Sequence, residues 1–174
     1  MSSTLSVGDL LLRPFREEDR DAIGRYADSE TYLRNLGPGF PNAEAMVEHN
    51  LACGDDPSEL GWVIERDGEV VGSVFLGIDR TNATGHLACL IAPDAWRQGV
   101  ARASAMAVMD HGFTVERLEK IWARSEAGNA GSIRAMESLG MRLEGTLRSH
   151  RATREGGRCD EVIYGILATD WPSS

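Results

Sequence analysis

The sequence predicts an α/β protein built around a central mixed sheet, and three observations carry that expectation: its length, its composition, and the order in which short apolar runs alternate with helical patterns. At 174 residues the chain holds about one domain's worth of residues. We expect 1–174 to form a single domain. With 42% hydrophobic and 26% charged residues it has the makeup of an ordinary globular chain, not of a disordered, collagen-like or coiled-coil one. The elements run β, two α, then β-β-β-α-β-α-β-β, an order that defines the class and names no function.

Leu10-Leu-Leu-Arg-Pro14 reads as a short strand stopped by proline. Asp19 to Tyr32 reads as a helix with Ala22, Ile23, Tyr26 and Ala27 on its apolar positions. Gly37-Pro-Gly-Phe-Pro41 makes a stiff loop, after which Asn42 caps a second helix from Ala43 to about Cys53. Gly61–Glu65 and Val70–Leu76 are strands joined across Arg66-Asp-Gly-Glu69, where Asp-Gly is a strong hairpin signal. His86–Ala92 is too continuously apolar for an edge and is ended by Pro93, so it is placed at the sheet centre. A loop over Asp94–Gln98 leads into a helix from about Gly99 to Gly112. Ile121–Ser125 is a strand, Ser132–Leu139 a short helix stopped at Gly140, and Arg142–Arg148 and Glu161–Leu167 are the last strands.

Charge and cysteine usage exclude several classes. The net charge of −9 disfavours binding to a nucleic-acid backbone. It is unevenly spread: residues 1–60 carry five Arg against twelve acids, whereas 86–160 carry eleven Lys or Arg against nine. An acidic N-terminal part beside a mildly basic C-terminal part suits a cationic substrate held near an anionic cofactor, although a solvated surface is the plainer account. Cys53, Cys89 and Cys159 are odd in number and widely spaced, which indicates neither a disulfide framework nor a metal site. No window approaches the roughly 18 apolar residues of a membrane span, and the start Met1-Ser-Ser-Thr-Leu-Ser lacks the basic and apolar regions of a signal peptide. A soluble cytoplasmic protein without membrane contact is the expectation.

The stretch that carries chemistry is Leu90-Ile-Ala-Pro-Asp-Ala-Trp-Arg-Gln-Gly-Val-Ala-Arg102, a strand, a tight turn and a helix start. Gly99 removes the side chain where backbone must approach a ligand, Ala101 keeps the next position narrow, and the first-turn N–H groups are left to face an anion such as a pyrophosphate. The spacing is neither GxGxxG nor GxxxxGK[ST], so a nicotinamide dinucleotide and a bare nucleoside triphosphate are not the best ligands. Simple helix-start geometry is the plain alternative for Gly99 and Ala101.

These residues resemble the pyrophosphate loop Gln/Arg-x-x-Gly-x-Gly/Ala of the GNAT superfamily of acetyl-CoA-dependent N-acetyltransferases, matched here by Trp96-Arg-Gln-Gly-Val-Ala101. Tryptophan at position 96 departs from the general pattern and looks like the RimJ/RimL-type branch. Asn129-Ala-Gly-Ser132, Ser138-Leu-Gly-Met141 and Leu143-Glu-Gly145 are similar to that branch's NxxS, lGF and EG patches, with Met141 in place of phenylalanine. Leu11-Leu-Arg-Pro14 with Asp19 is similar to its first strand. The resemblance implies the GNAT fold, with a mixed but mostly antiparallel central sheet flanked by helices.

It also implies acetyl-CoA as acetyl donor, direct attack of a neutral amine on the thioester, and an acceptor that is a protein N-terminal α-amine or a small-molecule amine. A homodimer is compatible with it. The cofactor-binding residues carried over are Leu90, Ile91, Trp96, Arg97, Gln98, Gly99, Val100, Ala101, Arg102, Asn129 and Ser132. The Ile91 backbone N–H is the candidate oxyanion donor. Many relatives place a tyrosine acid four residues after Ser132, where this chain has Met136, so Ser132 is the candidate donor to the departing thiolate. His86 is the first candidate base, Glu30 the second, and Glu144 and His150 follow.

Each assignment has a bland counterpart: Asn129 and Ser132 as turn and cap residues, His86 as a strand-end histidine, and Cys89 as a small buried hydrophobe rather than a covalent nucleophile. Trp62, Tyr32 and Phe40 are placed in an acceptor wall or, more simply, in the core. A catalytically silent acyl-CoA sensor is the alternative function, because the tyrosine acid is missing.

Overall fold

The computed structural model describes residues 3–27, 42–53 and 56–172. One sheet of eight strands organises them: β1 (Leu5–Val7), β2 (Leu10–Arg13), β3 (Glu59–Arg66), β4 (Glu69–Asp79), β5 (Thr84–Ile91), β6 (Lys120–Glu126), β7 (Arg142–Ala152) and β8 (Arg158–Leu167). Their spatial order is β1-β2-β3-β4-β5-β6-β8-β7. Every neighbouring pair is antiparallel except β5 with β6, so the sheet is mixed and mostly antiparallel, as expected. The described helices are α1 (Arg20–Ala27), α2 (Ala43–Ala52), α3 (Val100–Thr114) and α4 (Ala130–Ser138). No described helix is long and apolar enough to cross a membrane.

Local chemistry explains why these segments form. The β3–β4 turn places Asp67 and Gly68 at φ 53° and 83°, the left-handed pair of a type I′ hairpin and the reason Asp-Gly is such a strong signal. Asn42 caps α2 by accepting the Ala45 N–H at 2.9 Å. Arg13 forks onto both oxygens of buried Asp19 at 2.9 and 2.8 Å, and Asp19 also accepts the Arg16 N–H at 2.8 Å. That network fixes the chain as it leaves β2 for α1.

Strand alternation sorts the sheet into two faces. Leu12, Trp62, Ile64, Val74, Leu76 and Ile121 join Val108 and Met109 of α3 in a core without solvent contact. On the opposite face Ile23, Tyr26, Met46 and Val47 of α1 and α2 close over Leu90 and Phe15. Each fully buried side chain of this size contributes roughly 1.5–3 kcal/mol. The sheet is thus covered on both faces.

The structure differs from the sequence expectations at several ends. β1 has no counterpart among them, because three residues give too little period to read. β7 extends past Arg148 to Ala152 across register irregularities between Leu143/Gly145 and Leu147/Arg151. The expected first helix is described only to Ala27, and its remainder, with Glu30, Tyr32, Phe40 and the Gly37–Pro41 loop, lies outside the described residues.

Candidate active site

The central parallel pair creates the site by coming apart. β5 pairs with β6 only over Thr84↔Lys120, Gly85↔Ile121 and His86↔Trp122. Beyond that point β5 stays on β4 as far as Gly72↔Ile91, and β6 stays on β8 as far as Glu126↔Glu161. Each strand keeps its outer partner, so the gap is built into the sheet. It opens into a cleft of about 1060 Å³ that reaches both faces.

Backbone polarity follows from register. The Ala92 N–H donates to the Val71 carbonyl at 2.9 Å, so alternation along an antiparallel ladder turns the amides of Cys89 and Ile91 away from β4 and into the gap. Across it, the Ala127 N–H donates to Asp160 of the β8 side at 2.9 Å, which turns the Arg124 backbone toward β5. The gap is edged by peptide groups that no strand pairs. These are the groups an extended, amide-bearing ligand would use.

The loop after β5 turns sharply, with Pro93–Ala95 in a 3₁₀ turn and Arg97 and Gly99 at φ 61° and 78°. Gly99 is the N-cap of α3. The first amide of the helix to find a backbone acceptor is Ala103, on the Gly99 carbonyl at 3.0 Å. The amides of Val100, Ala101 and Arg102 precede it and have no helical acceptor. A Cβ placed on Gly99 meets nothing within 4 Å, so the space beside that residue is open. An anion fits this cradle in charge and in space.

The remaining cofactor candidates divide. Leu90, Ile91, Trp96, Arg97, Gly99, Val100, Ala101, Arg102, Asn129 and Ser132 all line the cleft. Trp96 donates its indole N–H to the Ile91 carbonyl at 2.7 Å, tying the turn to the end of β5 while the Ile91 amide stays aimed at the gap. Arg102 leans across to the Ser138 carbonyl at 3.3 Å. Gln98 departs from expectation: its side chain donates to the Asp94 carbonyl at 2.7 Å and accepts from Arg66 at 2.6 Å. It braces the turn from outside and is not part of the lining.

On the β6 side, the Asn129 carbonyl oxygen accepts the Ser132 N–H at 3.0 Å, capping α4. The cap presents Ser132 to the cleft. Met136, buried beneath the same helix, also lines it.

His86 sits at the last paired position before the gap, its ring 4.3 Å from that of Trp122. Burial first, and then the charge of Arg124, push its pKa down to about 4, so near neutral pH it is an uncharged imidazole. This lies well below the ordinary imidazole value near 6.5, because the ring is packed against Trp122 and stands near a guanidinium.

Other sequence candidates lie elsewhere. Trp62 is in the core on the α3 face, edge-on to His111 and donating to the Ser3 carbonyl at 2.7 Å; it is not an acceptor wall. Glu144 pairs with Lys120 at 2.6 Å, and His150 lies 3.8 Å from Glu161; neither lines the cleft. Cys89 faces the Ser104 hydroxyl at 3.7 Å, and burial pushes its thiol up to about 11. A nucleophilic thiolate is disfavoured there.

The wall facing away from α3 was not legible in the sequence. His49 of α2 meets Phe75 of β4 with ring centres 5.9 Å apart, and Glu59, Gly77, Arg124, Glu126 and Arg151 complete this side. His49, Cys53 and Glu59 bring their ligand atoms within 4.8 Å of one another, a set of donors able to hold a metal ion. Burial, followed by the charge of Glu59, pushes the Cys53 thiol up to about 11, so a metal would have to displace its proton. Across the whole lining, Arg97, Arg102, Arg124, Arg134 and Arg151 face only Glu59 and Glu126. Of the acids in residues 1–60, Glu59 alone lines the cleft among the described residues.

A split parallel pair with the unpaired first amides of a helix at its mouth forms one continuous cleft through the sheet. A family model described as an acetyltransferase (GNAT) domain matches residues 9–142. The chain belongs to the GNAT acetyltransferases of the RimJ/RimL type and is an N-acetyltransferase. It is 27% identical over 175 residues to the uncharacterized N-acetyltransferase p20 of Bacillus licheniformis, covering 97% of this chain and 98% of that one. It is 34% identical over 147 residues to spermidine N(1)-acetyltransferase of Escherichia coli K12, covering 82% of this chain and 77% of the relative. Mycobacterium smegmatis RimJ in complex with CoA-disulfide shares the fold with a TM-score of 0.86 at 24% identity, over 99% of this chain and 89% of that one.

Proposed function

We propose that this chain transfers the acetyl group of acetyl-CoA to a primary amine by direct attack, with the donor lying through the gap between β5 and β6. The observation that carries the reading is the gap itself: unpaired backbone amides of Cys89 and Ile91 beside the free amides of Val100–Arg102. The donor supplies an activated acetyl on sulfur; everything else falls to the chain's own groups. The amides after Gly99 hold the diphosphate, with Arg97 and Arg102 adding charge-assisted contacts. The Ile91 N–H stabilises negative charge developing on the acetyl oxygen. Ser132, presented by the Asn129 cap, hydrogen-bonds the departing sulfur, directly or through a water.

The proton balance assigns His86 a modest role. A group with a pKa near 4 accepts a hydrogen bond from the attacking amine but does not retain its proton, which passes to water. The acceptor must therefore reach the gap as a free base, a condition an α-amine at about 7.7–8.0 meets more readily than a lysine side chain near 10.4. Glu30 keeps its place as the second base candidate. Release of CoA thiol, followed with a panel of amines and peptides, tests the reading. Turnover supports it; tight CoA binding with no turnover on any acceptor would favour the silent sensor instead.

A further inference from the structure

Because the gap passes through the sheet, its two faces have different tasks. The turn at Gly99 and α4 bring the donor in on the α3 face, so the amine must approach from the opposite face, where His86, Arg124 and Arg151 stand. Alternation along β6 puts Trp122, Arg124 and Glu126 on that same side, and the contact of Trp122 with His86 fixes it.

Arg124 Nη1 lies 3.8 Å and Arg151 Nη1 3.7 Å from the carboxylate of Glu161, a side chain only 3% exposed. His150 draws on the same carboxylate at 3.8 Å, and Arg151 Nε is 3.4 Å from Glu126. One buried acid behind the wall thus anchors two guanidiniums that line the cleft. A guanidinium offers five N–H donors in a planar fork that matches a carboxylate edge to edge. Arg124, 48% exposed, uses one long contact and has donors to spare.

We propose that Arg124, flanked by Arg151, forms a carboxylate-binding subsite on the acceptor face, and that the acceptor is a small molecule bearing a carboxylate close to its primary amine, an amino acid or amino-acid-like compound. This deepens the amine-acceptor reading and rests on it. A fork held by a carboxylate orients the neighbouring amine toward the gap. Among the described residues a polyamine meets Glu59 and Glu126 as lining acids, and Glu126 is already drawn to Arg151.

The test uses the full chain with acetyl-CoA, following CoA release with free amino acids, the corresponding C-terminal amides, which stand in for a peptide N-terminus, and spermidine. The proposal expects at least one amino acid with kcat/KM tenfold or more above its own amide and above spermidine. Arg124→Gln should bring that acid down to the level of its amide, with the amide losing much less than the acid, and leave CoA affinity unchanged by calorimetry; Arg124→Lys should restore part of the preference. Amides or spermidine used as well as or better than the acids overturn the subsite, as does an equal loss for acid and amide in Arg124→Gln, or no turnover of any amine in the panel. Turnover of amides or spermidine without a preference for the acids confines the failure to the subsite, whereas CoA binding with no turnover of any amine overturns the transferase reading as well.

Discussion

Replacing Gly99 by glutamate separates the contribution of the anion cradle from that of the fold. The residue has φ 78°, a conformation that costs a side chain with a Cβ roughly 1–2 kcal/mol. For a domain of this size each kcal/mol moves the melting temperature by about 2–4 °C. Nothing lies within 4 Å of the new Cβ, so no steric penalty adds to the strain. The effect on the ligand is much larger. The carboxylate would fold back onto the amides of Val100–Arg102, the groups proposed to hold the diphosphate. Losing two charge-assisted hydrogen bonds at about 1.5–3 kcal/mol each lowers CoA affinity by roughly 100-fold or more. Gly99→Ala is the control, carrying the strain without the charge. Calorimetric titration with CoA beside thermal melts reads both quantities. If Gly99→Glu binds CoA within threefold of wild type while showing the expected melting shift, the diphosphate is held elsewhere and the proposed donor path is wrong.

Ser132→Ala should lower kcat about tenfold or more with acetyl-CoA affinity little changed, since the hydroxyl acts on the leaving sulfur; unchanged kcat with a raised KM removes that role. The depressed His86 gives a pH signature. Its folded pKa of about 4 lies below the unfolded value near 6.5, so the unfolded chain takes up the proton first as pH falls. The contribution is complete above about pH 6.5 and is lost progressively between there and about pH 4, at most about 3 kcal/mol. Urea titrations across that window should show wild-type stability falling more steeply with acid than His86→Gln, and parallel curves would contradict the burial of the ring. Asp19→Asn breaks the buried fork with Arg13 and should cost about 3–5 kcal/mol in a urea melt, with a loss below 1 kcal/mol counting against that network as the lock between β2 and α1. Asn129→Ala removes the α4 cap and should cost about 1 kcal/mol while lowering turnover through the misplaced Ser132; stability loss with normal kcat would separate the two roles.

What the sequence disclosed and what it hid divide by distance along the chain. The donor side is local. The stretch from Leu90 to Arg102 is a strand end, a turn and a helix start, and Asn129 with Ser132 is a cap, so each is specified by neighbouring residues and by glycine or asparagine chemistry. All of these candidates line the cleft except Gln98, whose side chain the Arg66 guanidinium draws outward. No local pattern reports a partner 32 residues away. β1 and the end of β7 escaped for a related reason: Leu5–Val7 is too brief for a period, and a left-handed Ser149 at φ 49° interrupts the alternation before Arg151.

The acceptor side is assembled from distant segments. Phe75 comes from β4, His49 from α2, Arg124 from β6 and Arg151 from β7, and only the strand order β5-β6-β8-β7 brings the last two beside His86. A charge count along the chain does not report this face, since of the acids in residues 1–60 Glu59 alone belongs to the described lining. Charge acts over about a Debye length in space, near 10 Å at 0.1 M salt, and not over a stretch of sequence. The sign that an incoming amine meets is therefore set by which strand carries each arginine to the gap. On the proposed reading the donor meets two local stretches, the turn after β5 and the start of α4, whereas the acceptor meets side chains from four elements, which leaves the second free to change while the first stays fixed.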